Sequence, residues 1–133
     1  MSSTIFRTEL EVRDYECDIE GIVNNAVYIN YLEHARHGFI QAKGHNFLKL
    51  TRSGIHLVVT RIEADYLLPL QSGDRFLVAT AIERISRLRF GFSQEIIRIP
   101  DQRVVMNAKV LAASLNSDGR PRYFEELEGL FVD

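Results

Sequence analysis

Apolar and polar residues alternate at the start of the chain. Phe6, Thr8, Leu10 and Val12 fall on one face and Arg7, Glu9, Glu11 and Arg13 on the other, a period of two that predicts a strand over 5–13. Residues 14–23 read as a loop. From Asn24 or Asn25 the period changes: Tyr28, Tyr31, Leu32, Ala35 and Phe39 recur at helical spacing, opposite a stripe of Asn30, Glu33, His34, His37 and Gln41. This predicts a helix to about Lys43, with Asn24 as N-cap and Gly44 as stop. Gly38 costs roughly 1 kcal/mol against alanine inside such a helix, so it marks a close contact or an early end. Strand patterns follow at 55–66, 75–86, 89–99 and 104–116, separated by turns such as Pro100-Asp101-Gln102 and the run SDGRP. The tail YFEELEGLFVD reads as a short helix or an extended segment.

One strand, one long helix and four strands on short turns predict an α+β fold with a five-stranded antiparallel sheet. A helix of this length spans about 28 Å, enough to cross such a sheet. The sheet would wrap the helix, leaving the sheet edges and the polar stripe to be covered. A homodimer is the simplest cover.

At 133 residues, one domain over 1–133 is expected. A net charge of −2 suggests no general nucleic-acid surface. Cys17 is the one cysteine, which excludes an intrachain disulfide and fits a reducing, cytoplasmic setting. No apolar run has the length of a membrane span, and the N-terminus lacks the apolar core of a secretory signal.

Chemistry concentrates in 14-DYECDIEGIVNNAVY-28. Asp14, Glu16, Asp18 and Glu20 lie just before the helix. They either complement the positive end of the helix dipole, or one of them reacts with a group that the helix N-terminus holds. The wording 13-RDYECD-18 and 21-GIVNNAVY-28 resembles the active-site loop and helix of the hotdog-fold thioesterases. The likeness is to the 4-hydroxybenzoyl-CoA thioesterase group, with its Tol–Pal cluster acyl-CoA thioesterases, and to the plant acyl-lipid thioesterases. Tyr66, Pro69, Gly73 and Asp74 continue it. The resemblance implies a hotdog fold, in which one long helix is wrapped by a five-stranded antiparallel sheet. It makes Asp18 the catalytic carboxylate. The backbone N–H seven residues on, at Asn25, would polarise the thioester carbonyl. It also implies a dimer or a dimer of dimers, with no cofactor and no metal.

Thioester hydrolysis suits these parts. Free N–H groups at a helix start stabilise a developing oxyanion. Asp18 either deprotonates water or attacks to give a mixed anhydride. Asn24 and Tyr28 are expected beside the substrate, Asn24 through its cap. Arg87 and Arg89, in 84-RISRLRFGF-92, are candidates for the phosphates of coenzyme A or for an acidic acyl carrier protein. His34 and His37 share a helix face but have no third ligand at metal spacing, and Cys17 has no evident histidine base. The expected function is hydrolysis of an acyl thioester, with an aliphatic acyl-CoA favoured. An acyl-carrier-protein thioesterase is the near alternative, and a non-catalytic acyl-thioester binding protein of the same fold the further one.

Overall fold

The computed structural model describes residues 5–132. Strand β1 (Phe6–Glu11) keeps the expected alternation: Phe6, Thr8 and Leu10 are half-buried while Arg7, Glu9 and Glu11 are exposed. Helix α1 (Asn25–Ala42) is capped by Asn24, whose side chain accepts from the Ala26 N–H. Tyr28, Tyr31, Leu32, Ala35 and Phe39 are all buried on it. Gly38 does not end the helix. A Cβ there would stand 3.2 Å from the Phe6 ring, so the glycine lets α1 lie close on β1.

A second helix, α2 (Phe47–Arg52), follows, capped by the Asn46 side chain on the Lys49 N–H. Only its Leu50 is fully buried. Strands β2 (His56–Tyr66), β3 (Arg75–Arg84), β4 (Arg89–Ile99) and β5 (Arg103–Leu115) complete the sheet in the order β1-β3-β4-β5-β2, antiparallel throughout. The tail is a 3-10 helix, Glu125–Phe131, that buries Leu127 and Leu130.

Along α1 the core divides in two. One cluster holds Val12, Tyr28, Leu32, Phe76 and Ile96 at the helix start. The other holds Phe39, Ile40, Ile82, Phe92 and Leu130 at its end. A buried polar layer lies between them. Arg36 donates to Gln94 Oε1 at 3.1 Å, and Gln94 Nε2 donates at 3.0 Å both to the Leu32 carbonyl and to Thr80 Oγ1.

Edge strand β2 differs from the rest of the sheet. Val58, Val59, Ile62 and Tyr66 are 36–50% exposed. A register shift between Val59 and Arg61 displaces Thr60 from the ladder, a bulge. Inward-facing Ala108, Val110 and Ala112 of β5 stand opposite Ala64, Ile62 and Val59. Cross-strand partners share a face, so these three β2 residues also look toward α1.

Candidate active site

The acidic loop is tied down at each end. Val12 donates its N–H to Asp74 and Val23 donates to Leu70. Glu16 is structural: its Oε1 accepts the Arg13 N–H and the Tyr31 hydroxyl, each at 2.8 Å. Burial first, and Glu16 second, push the Tyr31 phenol well up, so that hydroxyl stays a donor. Asp14 takes a hydrogen bond from Ser72. Two of the four loop carboxylates therefore hold the loop in place.

Asp18 is exposed at the tip. Its N–H reaches the Ile22 carbonyl, its carbonyl accepts from Gly21, and its Oδ1 accepts the Glu20 N–H at 2.9 Å. This turn is closed by its own side chain. It needs a residue at positive φ, and Gly21 supplies it at 82°. The second carboxylate oxygen, Oδ2, takes no hydrogen bond among the described residues.

The loop delivers the chain to α1 with its first amides unequally used. The Ala26 N–H is capped by Asn24 Oδ1 at 2.9 Å, and the Val27 N–H reaches the Asn24 carbonyl at 2.9 Å. The Asn25 N–H finds no acceptor among the described residues. Asn25, at the first helical position, thus offers a donor in the place where the dipole favours negative charge. Replacing Asn24 by alanine is expected to cost about 1 kcal/mol of stability. A lower urea midpoint at unchanged slope would report it; an unchanged midpoint would deny the cap any weight.

Tyr66 completes the surroundings, and the sequence did not mark it as a site residue. From the end of β2 its hydroxyl donates to the Asn25 carbonyl at 2.9 Å. Its ring meets Tyr28 edge-on at 5.4 Å. Tyr28 itself is 3% exposed, and its hydroxyl accepts the Leu70 N–H at 2.9 Å. That bond ties the buried ring to the segment after β2.

The sequence offers Arg87 and Arg89 as the grip on coenzyme A phosphates or an acidic carrier. They stand at the opposite end of the sheet. Arg89 opens β4, whereas the loop packs by Arg75 and Ile99, which pair at its close. Ten residues of strand separate the ends, about 30 Å. Arg87 lies in the β3–β4 turn over the Tyr123 ring, 4.9 Å from its centroid. No arrangement within one protomer brings either arginine to Asp18.

His37 Nε2 lies 3.8 Å from Glu33 Oε2 and its ring stacks on Phe47 at 4.4 Å. Burial, the largest cause, lowers its pKa. Among the described residues no group of three or more His, Cys, Asp or Glu side chains is placed to hold a metal ion. No helix among them is long and apolar enough to cross a membrane.

Residues 12–127 match the family described as the thioesterase-like superfamily. The chain belongs to that superfamily. It is 45% identical over 113 residues to a chloroplastic acyl-acyl carrier protein thioesterase of Arabidopsis thaliana, covering 85% of this chain and 60% of that one. This chain therefore spans about three fifths of the plant relative's length. It is also 29% identical over 104 residues to the long-chain acyl-CoA thioesterase FadM of Escherichia coli, covering 78% of each. Its fold superposes on a 1,4-dihydroxy-2-naphthoyl-CoA thioesterase from Synechocystis with a TM-score of 0.88, over 92% of this chain and 91% of the other, at 18% identity. The superfamily member described here has a hotdog fold.

Proposed function

We propose that the chain hydrolyses acyl thioesters, releasing a carboxylic acid and a thiol. The observation that carries this reading is an uncommitted helix-start N–H at Asn25 together with an exposed Asp18 carboxylate seven residues before it, on the hydrogen-bonded loop that leads into the helix. The carbonyl oxygen takes the Asn25 N–H as it becomes an oxyanion. Asp18 then either removes a proton from the attacking water or attacks the carbonyl carbon itself, and the thiolate leaves. Relatives named for acyl-carrier-protein and acyl-CoA substrates support both carriers. The deciding experiment follows thiol release with a thiol-reactive dye from acyl-CoA and acyl-carrier-protein thioesters of graded length, aryl members included. Turnover on any of them supports the reading. Binding without turnover on all of them would leave an acyl-thioester binding protein.

The same reading needs a second copy of the chain. Edge strand β2 is eleven residues long and exposes Val58, Val59, Ile62 and Tyr66, and a long uncovered edge pairs with another strand. A two-fold dimer would set β2 antiparallel to its twin. The His56 end of the partner strand would then lie beside the Tyr66 end of this one. Arg89 stands opposite Ala113, and Ala113 opposite Val58, so Arg89 of the partner subunit would sit two strand spacings, about 10 Å, from the shared edge. Arg87 and Arg89 would thus serve the partner's substrate, gripping coenzyme A phosphates or an acidic carrier.

Alanine at both positions is expected to raise KM about three-fold while leaving kcat nearly unchanged, a difference that added salt erases. An unmoved KM for both carriers would remove the arginines from the site. The chain is expected to sediment as a dimer or a dimer of dimers, and to occupy the cytoplasm of its cell.

A further inference from the structure

The donor on which the proposed chemistry depends sits in the first turn of α1, and helix ends fray. The Asn25 N–H shares its peptide plane with the Asn24 carbonyl, which accepts the Val27 N–H at 2.9 Å. On the other side of Asn24, its own N–H reaches the Glu16 carbonyl at 3.0 Å. Both bonds are made by the loop and the helix themselves. The link from this turn to strand β2 is Tyr66. Its partner on β5 is the buried Met106, so Tyr66 takes the face that looks toward α1. Its hydroxyl donates to the Asn25 carbonyl at 2.9 Å, across the Asn25 Cα from the donor N–H.

Tyr66 is one end of an aromatic bracket. Its ring stands edge-on to Tyr28 at 5.4 Å, and Tyr28 stands edge-on to Tyr31 at 6.1 Å. Tyr31 donates to Glu16 Oε1 at 2.8 Å, which returns the bracket to the acidic loop. The fold needs two of these three hydroxyls. Tyr28 and Tyr31 are 3% and 5% exposed, and a buried hydroxyl left without a partner is costly. Tyr66 is 50% exposed, so water would serve its hydroxyl nearly as well. The Tyr66 bond to Asn25 therefore adds little to stability. What it does fix is where the first turn of α1 stands against the end of β2.

Resting on the thioesterase reading above, we infer that Tyr66 is a positioning residue for the oxyanion donor. Its hydroxyl clamps Asn25 by the carbonyl and so holds the neighbouring N–H in line for the thioester oxygen. It acts through Asn25 and makes no contact with the reacting atoms. Positioning of this kind is felt in the chemical step, because a donor slightly out of line stabilises the transition state less while the substrate still binds.

Tyr66→Phe deletes the hydroxyl and keeps the ring on Tyr28. It is expected to lower kcat about five-fold, with KM and the urea midpoint nearly unchanged. The test is a double-mutant cycle with Asn25→Pro, which removes the N–H itself. In that background Tyr66→Phe is expected to change kcat no further, because there is no donor left to position. The same five-fold loss in both backgrounds would overturn the inference, since the hydroxyl would then act on the substrate directly. So would a wild-type kcat in Tyr66→Phe, or a loss of kcat that follows a lowered urea midpoint. If Asn25→Pro keeps wild-type turnover, the oxyanion reading fails on its own arm of the cycle and the inference falls with it. If wild type cleaves no thioester, the thioesterase reading fails, and ¹⁵N relaxation at Asn25 decides the clamp: a lower order parameter in Tyr66→Phe upholds it and an unchanged one overturns it.

Discussion

Asn25→Pro is expected to fold normally and to lose about 10²- to 10³-fold in kcat, the size of effect seen when one oxyanion donor is removed. Proline is the residue best tolerated at the first position of a helix, where its missing N–H breaks no internal bond. The residue before it must be extended, and Asn24 already has φ −62° and ψ 139°. The substitution therefore removes one thing, the uncommitted N–H. Asn25→Ala is the matched control. It keeps the N–H and deletes the side chain, and should stay within a few-fold of wild type. The pair is read by kcat and far-ultraviolet circular dichroism. If proline and alanine behave alike, the backbone amide is not the oxyanion donor. If both collapse, the side chain carries a role the present reading does not give it.

Much of this site was open to a reading of the chain, because its parts are local. The cap at Asn24, the free amide beside it, the glycine at 21 and the carboxylate at 18 all lie within eight residues, and local turn chemistry governs them. The helix and all five strands were legible for the same reason: their periods run long enough to be counted. What was not legible depended on the third dimension. Helix α2 has six residues, too few for a period to emerge. Arg36 falls among the apolar positions of α1, but its partner Gln94 is 58 residues away, so nothing local marked the pair as a polar layer. Glu16 reads as one more acidic loop residue until Tyr31 is seen to donate to it. The position of Arg87 and Arg89 is the sharpest case. Alternation along β4 correctly buried Phe90 and Phe92, but it fixes only which face a residue takes. How far along the sheet it stands follows from register and strand order, and those put the arginines at the end far from their own protomer's acidic loop. In the proposed dimer a second copy of the chain would restore them, which makes the edge of β2 and the phosphate grip a single question.

Asp18→Asn is expected to reduce turnover by about 10²- to 10⁴-fold, the range for loss of a positioned base, while leaving stability almost untouched. The amide oxygen of asparagine can still accept the Glu20 N–H, so the turn that presents the side chain survives. The side chain is exposed, so no buried charge is left unpaired. Thioester binding should persist, because the Asn25 N–H and the proposed grip of Arg87 and Arg89 are unaltered; KM or a direct titration reports that. A variant that binds and does not turn over assigns the chemistry to Asp18. A variant that keeps wild-type turnover returns the acidic loop to its electrostatic role beside the helix dipole. The two catalytic routes then separate under single turnover in ¹⁸O-labelled water. A base delivers the label only to the released acid. A nucleophile passes through a mixed anhydride, and water that opens it at the aspartyl carbonyl leaves the label in Asp18, where peptide mass analysis finds it. The exposure of the carboxylate and its free second oxygen leave room for a water in front of it, which favours the base. Label in Asp18 would reverse that preference without moving the site.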